Sequence, residues 1–257
     1  MKTHLLGVQL KTSRSLWLSV LIALLLLCLS GTGLVRAQQH ISKRYPAGKN
    51  LRLELKNISG EITVESWDRD EIRISAVLES PTAHFSPRQM GDGVIIDVIG
   101  ENRGRGDVGA VNFKIQLPAS SSVDLETRRG DIHVSNVRGG SVRARVSSEG
   151  DIDLTGISAS QVEASNTTGN IFFDGEFARG GTYQFSSGKG DINIRIPVNS
   201  AFHLVASAPT KNIALSQFWN NRFQKIGDGR KMVGDVGDGR SSVTVTTFGG
   251  SITFLRK

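Results

Sequence analysis

Gly130-Asp131-Ile132-His133-Val134 is the first of four copies of one short phrase, which recurs as Gly150-Asp151-Ile152-Asp153-Leu154, Gly169-Asn170-Ile171-Phe172-Phe173 and Gly190-Asp191-Ile192-Asn193-Ile194. The copies begin 20, 19 and 21 residues apart. A repeat of this length is typical of solenoids, in which each unit buries its apolar face only against neighbouring units. The spacing therefore predicts the fold far more directly than the function.

Between the copies lies a second series of segments, in which apolar and polar residues alternate as in strands with one buried face. Two equivalent positions of this series hold Val123, Val142, Val162, Tyr183 and Phe202, and then Leu125, Ala144, Ala164, Phe185 and Leu204. An antiparallel sandwich also has strands at this spacing, but it gives no reason for similarity to recur at every second strand. We therefore predict an all-β fold, a parallel β-solenoid with about 20 residues per coil and two facing sheets.

Each residue of the phrase has a structural role at the corner between two strands. Glycine reaches positive φ without a Cβ clash, and Asp or Asn accepts hydrogen bonds from turn amides. The isoleucines are predicted to stack in one sheet: Ile132, Ile152, Ile171 and Ile192. The acids would form a column that could hold a cation, Asp131, Asp151 and Asp191, but Asn170 interrupts it and the nonapeptide of calcium-binding rolls is missing. We predict no metal site.

The flanks of the repeats are less regular. Gly60-Glu61-Ile62-Thr63-Val64 is an early copy of the phrase and Gly250-Ser251-Ile252-Thr253-Phe254 a last one, and terminal repeats are expected to be atypical because they close the ends of the sheets. The predicted organisation is a signal peptide (1–37), an N-terminal tail (38–48) and one β-solenoid domain (49–257), divided into irregular strands (49–118), regular repeats (119–215), an insertion (216–240) and a terminal coil (241–257).

The first 37 residues have the features of a secretory signal. A basic front precedes an apolar run from Leu16 to Leu29, and small residues precede Gln38. An uncleaved membrane anchor is the alternative, because Leu16 to Val35 is about long enough to span a bilayer. Cys28 follows three leucines rather than the small residue that lipidation requires, so we interpret it as part of the apolar run. The predicted location is extracytoplasmic: periplasm, outer surface or secreted.

Charge and cysteine content exclude several functional classes. The chain has 31 Lys and Arg against 24 Asp and Glu, but removing the signal leaves 27 basic residues and a net charge of +3. Such a balance, in an exported protein, argues against nucleic acid as a partner. The mature chain has no cysteine, so disulfides and thiolate metal sites are excluded and stability must come from a packed core.

A basic cluster suggests a weak anion-contact edge. Arg143 and Arg145 are predicted to pair across strands with Asp124, Glu126 and Glu163, which leaves three arginines in turns, Arg128, Arg129 and Arg138. Acidic polysaccharides or phospholipid head groups are the ligands that such an edge would take. The insertion offers a second weak contact candidate in Phe218, Trp219 and Phe223, although these aromatic residues are also suited to capping the open end of the core.

Candidate catalytic groups are few. No Cys or carboxylate has a ligand-like spacing from the four histidines of the mature chain, His40, His84, His133 and His203. Neither a Gly-x-Ser-x-Gly elbow nor a phosphate-binding loop is present. We predict that the protein is not an enzyme and has no cofactor. A polysaccharide-active β-helix enzyme is the alternative, because the sites of such enzymes leave no linear motif.

The order of several segments resembles the bacterial putative-adhesin family of exported β-solenoid domains over residues 48–257. The resemblance is carried by the Gly-Asp-Ile series and by Gly60-Glu-Ile-Thr-Val, Trp67-Asp-Arg-Asp-Glu-Ile, Phe113-Lys-Ile-Gln-Leu-Pro118 and Gly250-Ser-Ile-Thr-Phe. It implies a non-catalytic envelope or surface protein, an adhesin or scaffold, with an envelope-stress sensor as a further alternative. It implies no catalytic or binding residues. The expected partner is a cell-surface glycan or an envelope protein.

Overall fold

The computed structural model describes residues 39–80 and 82–257, so the predicted signal peptide and Cys28 lie outside the described residues. The described part contains 21 strands, one short α-helix (α1) and one 3-10 helix. Their bounds are β1 Gln39–Pro46, β2 Arg52–Ser59, β3 Ile62–Trp67, β4 Glu71–Leu78, β5 Arg88–Met90, β6 Gly93–Asp97, α1 Val98–Glu101, β7 Val111–Pro118, β8 Ser122–Arg129, β9 Ile132–Ser135, β10 Ser141–Glu149, β11 Ile152–Ile157, β12 Gln161–Thr168, β13 Ile171–Gly175, β14 Thr182–Lys189, β15 Ile192–Ile196, β16 Phe202–Ser207, β17 Ile213–Ala214, the 3-10 helix Ser216–Phe218, β18 Gln224–Ile226, β19 Lys231–Val236, β20 Ser241–Thr247 and β21 Ile252–Arg256.

The strands form two sheets with mostly parallel pairing, which confirms the predicted β-solenoid. Sheet A has ten strands in the order β1-β4-β7-β3-β9-β11-β13-β15-β21-β17, and sheet B has eleven in the order β18-β19-β16-β20-β14-β12-β10-β8-β2-β6-β5. Through the regular repeats the chain alternates between the sheets, with one strand in each per coil. A parallel neighbour is therefore reached only after a full coil, as parallel pairing requires.

The isoleucines of the repeated phrase form one buried column, as predicted. Pairing in sheet A places Ile132, Ile152, Ile171 and Ile192 side by side, and the early and last copies extend the column with Ile62 and Ile252. All six are fully or almost fully buried in one continuous core. Because every second side chain of a strand points to the same face, apolar side chains from both sheets fill the space between them.

The predicted strand order is wrong at the end of the repeats. Tyr183 was expected beside Phe202, but β20 lies between β14 and β16, and Tyr183 is level with Val243 and then with Leu204. The insertion explains the difference, because its strands β18 and β19 form an antiparallel hairpin on the free edge of β16. After the hairpin the chain returns to sheet B as β20, which lies between β14 and β16 and separates these two strands.

The N-terminal region also differs from the simple repeat. The segment predicted as a tail over 38–48 instead contains β1, which pairs antiparallel with β4 along all eight residues and forms an edge of sheet A. Strand β4 in turn pairs antiparallel with β7. Lys43 and Arg44 lie on this edge strand, and charged side chains discourage pairing with another chain.

The corner before each sheet A strand is a ladder of hydrogen bonds, and we call it the Gly-Asp corner. The side-chain Oδ1 atoms of Asp131, Asp151 and Asn170 accept from the backbone N–H of the next coil at 2.8, 2.7 and 2.9 Å. Asp191 accepts from the backbone N–H and the hydroxyl of Ser251 at 2.7 and 2.9 Å. Each of these acids thus accepts a hydrogen bond from the next coil, and the described residues contain no cluster of three or more metal-ligating side chains.

A second ladder, which the sequence analysis did not predict, lies inside the core beside this corner. Pairing in sheet B aligns five buried polar side chains, interrupted by Val146: Asn57, Thr127, Asn166, Ser187 and Thr247. The hydroxyls of Ser187 and Thr247 donate to the carbonyls of Gly169 and Gly190 at 3.0 and 2.8 Å. These bonds satisfy corner carbonyls that would otherwise be costly to bury.

Candidate ligand-binding grooves

Two of the three predicted anion-contact arginines line one groove. Arg128 and Arg129 are the last residues of β8 rather than turn residues, and both are exposed. The groove has a volume of about 510 Å³, and the loop that precedes β7 forms its other side. Its lining residues are Ile58, Ser59, Glu79, Asp107, Gly109, Ala110, Arg128, Arg129 and Ser148. We call it the arginine groove.

The arginine groove has a basic side formed by the strand and an acidic side formed by the loop. Among the ion pairs that the described residues form, none involves Arg128 or Arg129. The carboxylates of the loop side already accept backbone hydrogen bonds, Glu79 from the N–H of Ala110 at 3.4 Å and Asp107 from the N–H of Gly109 at 2.9 Å. The strand side therefore presents two guanidinium groups that are available to an anion.

Arg138 does not belong to this groove. It lies between β9 and β10, at the opposite edge of the coil, which we call the return corner, where its backbone N–H donates to the carbonyl of Ala119. The three arginines therefore do not form one edge. Between Arg129 and Arg138 the chain crosses sheet A as β9, so Arg138 lies at the opposite corner of the coil from the other two.

The other arginines of the basic cluster are neutralised on the outer face of sheet B. Arg143 lies between Asp124 and Glu163, with N–O distances of 3.0 and 2.9 Å, and Arg145 reaches Glu163 at 3.1 Å. Glu126 is the register neighbour of Arg145, as predicted, but the hydrogen bond of Arg145 goes to Glu163. The hydrogen bond that Arg143 donates to Glu163, with the charge of Asp124, raises the pKa of Arg143.

The aromatic residues of the insertion separate into buried and exposed groups. Phe218 is buried at the end of the core, with ring centroids 5.9 Å from Phe202 and 6.4 Å from Phe254. Phe223 is also buried, and Trp219 stacks on it at 5.7 Å while 45% of its surface stays exposed beside Lys225. Two of these three side chains therefore cover the core, and only Trp219 offers a free surface.

A second groove, of about 480 Å³, lies at the return corner. Three turns form it: the β13–β14 turn, the β15–β16 turn and the β19–β20 turn at the end of the insertion. Its lining residues are Glu176, Phe177, Arg179, Pro197, Asn199, Ser200, Ala201, Asp238, Arg240 and Ser241. We call it the return-corner groove. The sequence does not reveal this groove because the three turns are far apart in the chain, although their Gly and Pro residues mark each one as a turn.

Tertiary pairing also gives His203 a carboxylate partner that sequence spacing did not reveal. His203 Nδ1 lies 2.7 Å from Asp235 Oδ1, and Ser242 is the register neighbour of His203 on the other side. Nucleophilic catalysis requires a hydrogen bond between the serine and the histidine. Among the hydrogen bonds of the described residues none joins Ser242 to His203, so in this structure these three residues lack the hydrogen bond that would activate the serine.

A buried acid on the outer face of sheet A has a structural role. Asp174 binds Arg195, and its Oδ1 lies 3.0 Å from Lys257 Nζ. Burial by itself would raise the pKa of Asp174, but the hydrogen bonds and charges of Arg195 and Lys257 outweigh it and lower that pKa below its usual value. Asp174 is thus paired with both cations and ties the end of the chain to sheet A.

Two facing, mostly parallel sheets wound from short coils define the protein as a β-solenoid. The sequence matches the family model of Toastrack DUF4097 over residues 33–254, and the chain belongs to that family. No curated protein matches the sequence. Within the described residues, no helix has the length and apolar character needed to cross a membrane.

Three solved structures resemble the chain. A putative cell adhesion protein from Clostridium sporogenes has a TM-score of 0.53 and 12% identity, with 86% of this chain and 100% of that chain covered. A putative adhesin from Bacteroides fragilis has a TM-score of 0.32 and 11% identity, covering 87% and 100%. A putative lipid binding protein from Parabacteroides distasonis has a TM-score of 0.38 and 12% identity, covering 84% and 96%. The first of these likenesses supports the fold alone.

Proposed function

We propose that this protein is a non-catalytic, exported envelope protein that presents a rigid β surface for adhesion and contacts anionic groups through the arginine groove. A solenoid is suited to this role because its sheets hold surface side chains at fixed separations over a long face. One solved structure with a similar fold is described as a putative cell adhesion protein, which agrees with the proposal.

The observation that carries the proposal is the pair Arg128 and Arg129. Arg143 and Arg145, on the same sheet, are bound by carboxylates, whereas no ion pair of the described residues includes Arg128 or Arg129. Guanidinium groups bind carboxylate and phosphate strongly, because each bond is charge-assisted. An anionic polysaccharide would bring repeated carboxylates to this groove.

Binding to polygalacturonate, with neutral dextran as the reference, tests the ligand. We expect the exported form to bind polygalacturonate only, more weakly as salt increases, and Arg128→Ala with Arg129→Ala to weaken binding about tenfold or more. Arg138→Ala is the control at the opposite corner, and because it removes one charge it is compared with Arg128→Ala and with Arg129→Ala, each made singly. An equal loss in Arg138→Ala, or binding to dextran, would refute specific contact at the arginine groove.

Fractionation of cells that express the full chain tests the location. We expect the protein in an extracytoplasmic fraction and expect a variant without residues 1–37 to stay in the cytoplasm. Recovery of the full chain in the cytoplasm would refute export.

A further inference from the structure

The return-corner groove is built where the repeats meet the insertion. The insertion carries two copies of the sequence Gly-Asp-Gly-Arg, at 227–230 and 237–240. The first copy is the turn between β18 and β19 and is not part of the lining of this groove, whereas Asp238 and Arg240 of the second copy line it. The chain therefore contains the same local sequence inside and outside a groove.

The walls of this groove are fixed from below. The hydroxyl of the buried Tyr183 accepts from the N–H of Ala178 at 2.6 Å and donates to the carbonyl of Ala159 at 2.8 Å. The hydroxyl of Ser241 donates to the carbonyl of Ala178 at 2.9 Å. These bonds hold the β13–β14 turn against the strand that follows the insertion, so the groove is formed before any ligand enters.

The turn that carries Asp238 is equally constrained. The N–H of Gly239 donates to the carbonyl of Val236 at 3.3 Å, and Gly237 has a φ of +64°, as the first central residue of a type I′ or II′ turn does. A Cβ on Gly237 would lie 2.6 Å from the Cβ of Ala201, on the groove wall. The two turns are thus packed too closely for any side chain between them.

The polar groups of the groove are balanced in charge and fixed in direction. Asp238 Oδ2 lies 2.8 Å from Arg240 Nε and 4.0 Å from Arg179 Nη2. Asp238 Oδ1 and the remaining guanidinium N–H groups take part in none of the ion pairs of the described residues, and Glu176 adds a second carboxylate to the lining. Two acids and two arginines give no net charge, and both arginines contact Asp238, so this groove lacks the unpaired guanidinium groups of the arginine groove and has no comparable preference for an anion.

Apolar surface completes the site. Phe177, Pro197 and Ala201 lie among the polar groups, and Phe177 is held by Tyr183 and Phe202 at ring-centroid distances of 4.4 and 5.3 Å. A sugar ring has the matching chemistry, because its hydroxyls both donate and accept while its C–H faces are apolar. The volume lies within the range of about 300–1,000 Å³ that small-molecule sites occupy.

We propose that the return-corner groove binds a neutral sugar residue, with Asp238, Arg240 and Arg179 as its hydrogen-bonding groups. This proposal rests on the proposed adhesive function, and it names a second ligand class at a site on the other corner of the coil. The insertion then determines the sugar specificity of the solenoid, since it supplies Asp238 and Arg240.

Saturation-transfer NMR tests the proposal with free glucose, galactose, mannose and N-acetylglucosamine as probes and glucuronate as the charged reference. We expect wild type to bind at least one neutral sugar better than glucuronate. Asp238→Ala and Arg240→Ala are expected to weaken that binding about tenfold or more, as loss of a hydrogen bond to a charged group does. The matched controls Asp228→Ala and Arg230→Ala change the same residue types outside the groove and should bind like wild type.

Circular dichroism verifies that each variant is folded, and Asp238→Asn, which keeps the shape of the side chain, replaces Asp238→Ala if that variant is not. Absence of saturation transfer from every neutral sugar, preference for glucuronate, or equal loss in the controls would overturn the proposal. Polygalacturonate binding depends on Arg128 and Arg129 instead. Failure at the return-corner groove with polygalacturonate binding intact would therefore leave the proposed function standing, and the reverse result would remove that function alone.

Discussion

Replacement of a corner glycine by alanine should destabilise the protein far more than replacement of a turn glycine that also has positive φ. Gly169 has a φ of +134°, and an added Cβ would lie 2.7 Å from the carbonyl carbon of Gly150 and overlap its oxygen. Gly180 has a φ of +75°, but a Cβ there has no neighbour within 4 Å. Gly180→Ala therefore carries a cost of positive φ alone, whereas Gly169→Ala carries the cost of a φ that favours glycine more strongly together with the cost of stacking two backbones.

The expected magnitudes follow from these two contributions. Positive φ costs a non-glycine residue about 1–2 kcal/mol, which is the whole effect expected for Gly180→Ala. Gly169→Ala adds the strain of moving one coil away from the next, about 1–3 kcal/mol by analogy with overpacked cores. The sum is about 2–5 kcal/mol for Gly169→Ala. For a domain of this size each kcal/mol lowers Tm by about 2–4 °C.

Thermal and urea unfolding of both variants, followed by circular dichroism, measure the difference. We expect Gly169→Ala to lower the urea midpoint and Tm clearly more than Gly180→Ala does, with the same strand content in the folded state. If the two variants are destabilised equally, close approach of the coils at the Gly-Asp corner contributes nothing, and the glycine is required only for its φ.

Two further predictions concern the core and the ladder. Ile192→Ala should lower the free energy of unfolding by about 2–5 kcal/mol in urea, whereas Asn193→Ala, the next residue on the opposite face of the strand, should change it by less than about 0.5 kcal/mol. Equal effects would contradict the assigned burial. The N–H of Ser251 is the main cause of the lowered pKa of Asp191. The unfolded chain therefore takes up the proton first as pH falls, and the stability that Asp191 confers is present above about pH 4 and lost below it. Asp191→Asn should accordingly flatten the decrease of Tm between about pH 4 and pH 2, and an unchanged acid limb would contradict this assignment.

The regular repeats could be predicted from sequence because their signals are local and repeated. The Gly-Asp-Ile spacing places Ile132, Ile152 and Ile171 in one column, and the alternation between the copies places Arg143 between Asp124 and Glu163. The strand order after Tyr183 could not be predicted in the same way. It depends on where the insertion folds back, and the sequence of β20 resembles any other strand of sheet B.

The residues of the candidate sites also include some that the sequence predicts and some that only the tertiary structure identifies. Arg128 and Arg129 could be identified because the predicted register pairs the other arginines of sheet B with acids and leaves these two without a partner. Arg138 lies at the other corner, and only the path of the chain through sheet A decides this. Likewise Asp238 and Asp228 have the same flanking sequence, and only the packing of three distant turns places Asp238 in a groove.

By itself the sequence determined the coil: its length, its two strands, its glycine and acid at the corner, and its apolar column, because each of these depends on residues less than one repeat apart. The tertiary structure decided which coils become neighbours at the ends and which turns meet at the corners. Those contacts join residues as far apart as Ala178 and Ser241, and their free energy comes from packing and hydrogen bonds that no local pattern encodes.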